Sequence, residues 1–454
     1  MISVGETDAE LGAVCLSKSH ARALVMNCSP SDIPLAKYAM PMRFAAHYSL
    51  QLRKYWARYF LHALKLFVRG TMSSPRVLGL TGVKRRVEIM QQALKRRYWT
   101  MFVAAGAAIS CGAIAYADGF TLPAPAKIAF LYFDQKNDGG WTQAFDEARP
   151  KIEDAVGMKI PFVEKVPEVA GQITPAAEQF IQRGYNVIIG TAFGYSDTFK
   201  ELSEKYPKVA FLNASGTTNG ANLESFYGRT YESQYLCGMI AGGMSKTGKL
   251  GFVAAHPIGP VNWTINAYEL GAQKMNPKAT VTVIFTGAWN DPVKERAAAS
   301  ALADQGIDVI GQHVDTPTPQ IVAQERGIYG TGHHRDLREF APKATLCSSV
   351  WTWDKFLSPE LKKVAAGNWQ PSPYGAFPGI KEGGTDIACC GSAVPKEIAD
   401  KVMAERDAII AGKQIFTGPM SDTTGKEILA AGKPIDDGGL WKMVWYVPGV
   451  IAQK

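Results

Sequence analysis

Cysteine is scarce in this sequence, seven in 454 residues, which excludes a scaffold built on disulfides. Charge is sparse too: 20% of residues are Asp, Glu, Lys or Arg, against 46% hydrophobic and 10% aromatic. That balance excludes a disordered chain, and the lack of repeated long apolar runs excludes a multi-span membrane protein. HExxH, Cys-x-x-Cys and GxSxG elements are all missing. The common signatures of zinc hydrolases, dithiol redox proteins and serine hydrolases are therefore absent. The length suggests two or three globular units.

The first quarter is poor in acidic residues. Residues 1–117 hold 16 Lys+Arg against 5 Asp+Glu, leaving 33 against 36 for residues 118–454. The formal net charge of +8 thus divides into +11 and −3. An overall excess of this sign would suggest a nucleic-acid or anionic-membrane partner; its placement points instead to export, with no nucleic-acid partner. Lys95-Arg96-Arg97 precede an uncharged stretch rich in Ala, Gly, Ile and Val that ends on Ala115-Tyr116-Ala117. This is a signal peptide over 90–117, starting at Met90, with cleavage before Asp118. Residues 1–89 are read as a basic extension from a mis-called start. The alternatives are a membrane anchor over 98–117, a lipidated Cys111, or a basic cytoplasmic domain. The expected location is the periplasm.

From residue 127 onward, apolar runs of strand length alternate with stretches of helical period. Strands are expected at 127–133, 162–166, 186–192 and 209–214, then at 250–255, 281–286, 309–314, 328–331 and 346–351. Helices are expected at 141–156, 176–183, 196–205, 232–245, 262–275 and 292–305. This alternation is α/β, with parallel sheets covered on both faces. The two series give two lobes within 118–454, the first mainly 118–246 and the second mainly 250–345, with later segments crossing between them. The clearest break is 242–249. In open α/β sheets, ligands sit at the carboxyl ends of strands. Those positions carry Asp138, Trp141, Phe193, Gly194, Trp263, Asn266, Asp315, Asp336 and Trp351, among others. Aromatic planes beside carboxylates and amides suit a flat heterocycle with hydrogen-bonding edges.

Two near-motifs fail on inspection. The run from Gly243 to Lys249 approaches a phosphate loop, but Leu250 replaces the magnesium-binding Ser/Thr and the order is helix–loop–strand. His333-His334 with Asp336 suggests a metal, yet neighbours on a strand face opposite ways, so no metal site is assigned. No cofactor and no catalytic residue is assigned either. Cys237, Cys347, Cys389 and Cys390 could include a disulfide that sequence cannot pair.

The chain resembles the basic membrane protein family of ABC-transporter substrate-binding proteins, which includes purine-nucleoside receptors. The likeness rests on Asp138-Gly-Gly-Trp-Thr-Gln-Ala, Gly190-Thr-Ala-Phe-Gly-Tyr, Lys205-Tyr-Pro-Lys-Val-Ala-Phe, Gly251-Phe-Val-Ala-Ala, Gly306-Ile-Asp-Val-Ile and Gly332-His-His-Arg-Asp. It implies a type I periplasmic-binding fold: two Rossmann-like lobes joined by a three-stranded hinge, with the ligand between them. It further implies that Asp138, Trp141 and Thr142 form the family's Asp-x-x-Phe-Asn element, with Trp141 stacking on a base. Phe193 would be a second aromatic wall, and Asp336 the later carboxylate. Thr142 stands where the family has Asn, and Trp351 where its nucleoside receptors tend to carry Lys. Loss of that Lys favours a free purine base, adenine first, over a nucleoside. The implied partners are this small ligand and an inner-membrane ABC permease, with the receptor a monomer. The alternatives are a nucleoside or riboflavin receptor, an exported nucleoside hydrolase, or a transcriptional regulator of the same fold.

Overall fold

The computed structural model describes residues 120–453. The expected leader at 90–117 and extension at 1–89 lie outside them. Among the described residues, no helix is long and apolar enough to cross a membrane.

The first lobe is a five-stranded, all-parallel sheet made of β1 (Ile128–Leu131), β2 (Phe162–Val163), β3 (Val187–Gly190), β4 (Ala210–Ala214) and β5 (Leu223–Phe226), in the order β2-β1-β3-β4-β5. Its connections are helices α1 (Trp141–Val156), α2 (Ala170–Gln182) and α3 (Ser196–Lys205). The central strands are buried on both faces, which explains their unbroken apolar reading. Helix α1 turns Phe145, Ala148 and Ile152 inward at helical spacing and ends on Gly157, whose φ of 72° suits a residue without Cβ. Helix α2 begins six residues before its expected start, because Pro175 sits inside the helix and does not open it.

The second lobe follows α4 (Thr230–Met244). Its sheet holds β6 (Lys249–Ala254), β7 (Thr280–Phe285), β8 (Val309–His313), β9 (Tyr329–His334), β10 (Thr345–Trp351), β11 (Thr385–Cys389) and, after the two-stranded pair β12 (Met420–Ser421) and β13 (Glu427–Leu429), the C-terminal β14 (Val450–Gln453). The order is β11-β10-β9-β8-β6-β7-β14, with only β11 antiparallel. Helices α5 (Gly259–Met275), α6 (Pro292–Asp304), α7 (Thr318–Glu325), α8 (Trp353–Ala365), α9 (Lys396–Ile410) and α10 (Asp437–Trp441) complete the set. Helices α4 and α5 lie in backbone contact: a Cβ on Gly238 would fall 2.0 Å from the Tyr268 carbonyl oxygen. The small residues of α4 permit that approach.

Helix α4 packs on the second sheet, so the expected lobe boundary at 242–249 moves to 226–230. The sequence break there is the turn before β6, inside the second lobe. The chain crosses between the lobes three times, at 226–230, 351–353 and 376–385. These segments run side by side. Tyr227 N–H donates to Ala376 O at 3.0 Å, Arg229 N–H to Pro378 O at 2.9 Å, and Thr352 Oγ1 to Gly383 O at 2.7 Å. After the second crossing, α8 returns to the first lobe, where Trp353 stacks on Phe145 at 4.7 Å and 9°.

Candidate ligand cleft

A cleft holding about 460 Å³ of space, open solvent at its mouth included, lies where the carboxyl ends of both sheets face each other. Phe133 follows β1, Thr191, Ala192 and Phe193 follow β3, and Ser215 follows β4. Tyr227 comes from the first crossing. From the second lobe come Ile258 and Pro260 after β6, Trp289 after β7, His313 and Asp315 at and beyond β8, and His334 at the end of β9. Glu168, from the loop before α2, completes the wall with Trp141 of α1.

Of the residues expected from sequence, Trp141, Phe193 and Asp315 line this cavity. Trp141 Nε1–H is tied to Thr191 O at 2.7 Å, and its ring meets Phe145, Trp351 and Trp353 edge-on. Phe193 is far freer, 37% exposed on a single 3₁₀ turn. Asp315 is buried, and desolvation, with Asp134 and Glu168 nearby, holds its carboxyl well above the usual range.

The others are placed elsewhere. Asp138 caps α1, accepting from the backbone N–H of Gly140, Thr142 and Gln143 at 2.8–3.0 Å. Burial and Asp315 raise its pKa to about 6 despite those three donors. Thr142 is fully buried, and its hydroxyl has no partner among the described residues. Gly194 donates its N–H to Glu168 Oε1 at 2.6 Å, fixing that carboxylate at the rim. Trp263 lines a smaller cavity of about 200 Å³ behind the hinge, its indole N–H on Thr230 Oγ1. Asn266 binds the C-terminal segment, donating to Trp445 O at 2.9 Å and accepting from Val447 N–H at 2.9 Å. Asp336 turns away and pairs with Arg338. Trp351 lies behind the cavity wall, donating to His334 Nδ1 at 2.8 Å and stacking on Trp353 at 4.4 Å. Sequence position on a post-strand loop does not say which way a side chain turns: none of these seven is among the residues lining the larger cavity, five are buried in protein contacts, Gly194 is exposed beside Glu168, and Asp336 is partly exposed in its pair with Arg338.

The two adjacent histidines do not alternate as strand residues would. His334 has φ +71°, a left-handed conformation that bulky residues rarely adopt, and its ring sits 4.0 Å from that of His333. His313 lies 4.4 Å from His333 on the other side. Burial lowers all three pKa values, that of His334 to about 3, so the cluster is neutral. Among the described residues, no group of His, Cys, Asp and Glu is arranged to hold a metal. Cys389 and Cys390 are paired as a disulfide at the end of β11, while Cys237 and Cys347 are buried free thiols.

The lobes touch across the cleft mouth. Asn290 Nδ2 donates to Asp134 Oδ2 at 2.7 Å, and Arg335 pairs with Glu147 at 2.5 Å. Gly140 rests on the Asp315 backbone so closely that a Cβ would fall 1.9 Å from its carbonyl oxygen. Among the described residues, no Lys or Arg lines the cavity, whose two carboxyl-bearing residues are Glu168 and Asp315. Such a wall disfavours anionic ligands and suits a neutral ring with N–H donors.

Residues 126–423 match the family model described as ABC transporter substrate-binding protein PnrA-like. The chain belongs to this family. A purine-binding protein of Brucella abortus is 37% identical over 71% of this chain and 92% of its own length. A Haloferax volcanii protein, named as a candidate ABC-transporter glucose-binding protein, is 34% identical over 62% of this chain and 71% of its own. A solved solute-binding protein from Conexibacter woesei superposes with a TM-score of 0.52 at 20% identity, covering 63% of this chain and 97% of that one. This last likeness bears on the fold, two α/β lobes with parallel sheets.

Proposed function

We propose that this substrate-binding protein is an exported, periplasmic receptor that captures a free purine base, adenine first, and hands it to an ABC permease. The observation that carries this reading is the composition of the interlobe cavity: Trp141, Phe193, Tyr227 and Trp289 around a buried Asp315, with no Lys or Arg among the described residues of the wall. Flat aromatic surfaces suit a heterocycle, each stacked pair contributing roughly 0.5–1.5 kcal/mol beyond area burial. Asp315 would accept from a ring or exocyclic N–H, which left unpaired in a dry cleft would cost about 1–3 kcal/mol. The similarity to a purine-binding protein supports the ligand class. A sugar, as named for the Haloferax relative, would also stack on aromatics but would need a denser set of hydroxyl partners.

Each lobe supplies part of the wall, so ligand contact with both favours the closed arrangement. Mass spectrometry of small molecules released from the denatured, purified protein tests this reading. Purine is the expected finding; riboflavin or a sugar with no purine would overturn the ligand class. Glu168 and Asp315 both face the cavity, and paired carboxylates are what glycosidic-bond cleavage requires. Release of free base from nucleoside by the purified protein would favour a hydrolase over a receptor.

A further inference from the structure

Asp315 stands out as a buried carboxyl without a counter-charge. It is 6% exposed and lines the cleft, yet among the described residues its carboxyl accepts no hydrogen bond. His334 Nε2 approaches Oδ1 at 3.0 Å without alignment, and burial keeps that ring neutral. The Asp315 N–H donates to Trp289 O at 2.8 Å, which ties the carboxyl to the loop that carries the Trp289 ring. Glu168 comes from the other lobe. Its Oε1 accepts from Gly194 N–H at 2.6 Å, while Oε2 has no donor among the described residues. Asp134 adds a third negative group close to Asp315. Buried charges in proteins are paired, and here the wall supplies no partner, since no described Lys or Arg lines it.

We propose that the cleft selects a purine cation, a ring made positive by a protonated or methylated nitrogen, which sits between Glu168 and Asp315 and draws the lobes together. This rests on the purine reading above and adds the charge of the ligand. Closing the lobes on a neutral ring brings two like-charged groups towards each other and strips water from them. A neutral purine satisfies the aromatic wall but leaves both carboxyls without a counter-charge. A cation meets both demands. The faces of aromatic rings attract positive charge, and Trp141, Phe193, Tyr227 and Trp289 supply such rings around the two carboxyls. One carboxyl stands on each lobe, so the ligand's charge contributes directly to the closed arrangement.

Adenine methylated on ring nitrogen N1 and adenine methylated on its exocyclic amine make the test. Both carry one methyl on the same edge of the ring, but in mildly acidic buffer the first is a cation and the second is neutral. Calorimetric titration of the intact chain is expected to show at least a tenfold preference for the cation. Glu168→Gln and Asp315→Asn each remove one negative group and should lose most of that preference. The ratio of the two affinities is the readout, so a general weakening of binding does not mimic the effect, and if one variant does not fold the other decides. Equal affinities, tighter binding of the neutral ring, or an unchanged ratio in a folded variant would overturn the proposal. Nitrogen-15 spectra of labelled adenine in the complex separate the two sources of charge: a protonated N1 marks protonated adenine as the ligand, and an unprotonated N1 marks the methylated ring. If the neutral ring binds and the cation binds no tighter, only this inference fails; if neither purine binds, the functional reading fails and this inference with it.

Discussion

At the residue scale, aromatic side chains in one cavity wall differ in what they support. Phe193 is 37% exposed on a short turn, so its ring serves the cavity more than the core. Phe193→Ala is expected to weaken purine binding about tenfold, in line with the loss of one stacked surface, with little change in melting temperature. Trp141 is embedded among Phe145, Trp351 and Trp353, and truncation there leaves a void costing about 3–5 kcal/mol. Trp141→Ala is therefore expected to lower both affinity and melting temperature. Calorimetric titration with thermal melts on both variants separates the two roles, and equal destabilisation would refute the distinction. Asp138 shows why chemistry-bearing residue types mislead. A carboxylate two residues before Gly140 is as good a helix cap as a ligand contact, and three backbone N–H groups claim it here. His334 was illegible for a different reason: strand alternation assigns its direction, and a φ of +71° cancels that alternation.

Elements were legible wherever burial and period agreed. Helices α1 and α3 begin and end where the spacing places them, because each has a single apolar face. Strand β5 carries Glu224 and Ser225 between Leu223 and Phe226, so it lacks the unbroken apolar run of its neighbours. With β5 unread, Tyr227 at its end was missed, and the lobe boundary was set too late. The C-terminal segment was also unread, though it explains Asn266. Asn262 Nδ2 donates to Met443 O at 2.8 Å, and Asn266 holds Trp445 and Val447 through its amide. Both asparagines lie on α5, where they fasten a strap that ends as β14 beside β7. Asn266→Leu removes both bonds and leaves buried backbone groups unpaired, which costs about 1–3 kcal/mol each. The expected result is a lower melting temperature and faster C-terminal proteolysis, with purine affinity preserved. A normal melting temperature with lost affinity would instead return Asn266 to the ligand site.

Across the whole molecule, closure depends on how near two backbones can come. Gly140, the residue before α1, meets Asp315 beyond β8, and an added Cβ would lie 1.9 Å from the Asp315 carbonyl oxygen. That contact exists only between lobes, so Gly140→Ala should leave each lobe folded while holding the cleft ajar. At least a tenfold loss of purine affinity is expected, with a larger radius of gyration by small-angle scattering in the presence of ligand. A variant that binds and compacts normally would remove this contact from the closing motion.

The same architecture buries carboxyls at its joints, and their titration gives a second test at this scale. Glu232 faces the third crossing through Ile380 N–H, Glu269 lies under the strap, and Glu295 bonds Thr316 beneath the cavity. Burial raises their pKa values to about 7, 8 and 7 from an ordinary 4.5. Each raised carboxyl holds its proton in the folded chain at pH values where the unfolded chain has released it. Stability from this source is complete at low pH and is lost as pH rises through the folded values. The buried histidines act in the opposite sense, but only below about pH 6.5, where the unfolded chain protonates them. Between pH 6.5 and 8.5 the carboxyls therefore dominate, at roughly 1.4 kcal/mol per pH unit for each proton retained. Melting temperature is expected to fall most steeply up to about pH 7, where Glu232 and Glu295 release their protons, and more gently towards pH 8.5 as Glu269 follows, and Glu269→Gln, which mimics the protonated form, should flatten the later part of the slope. A melting temperature that is constant or rising from pH 6.5 to 8.5 would mean that these carboxyls are already ionised in the folded protein, with water or a partner group offsetting their burial.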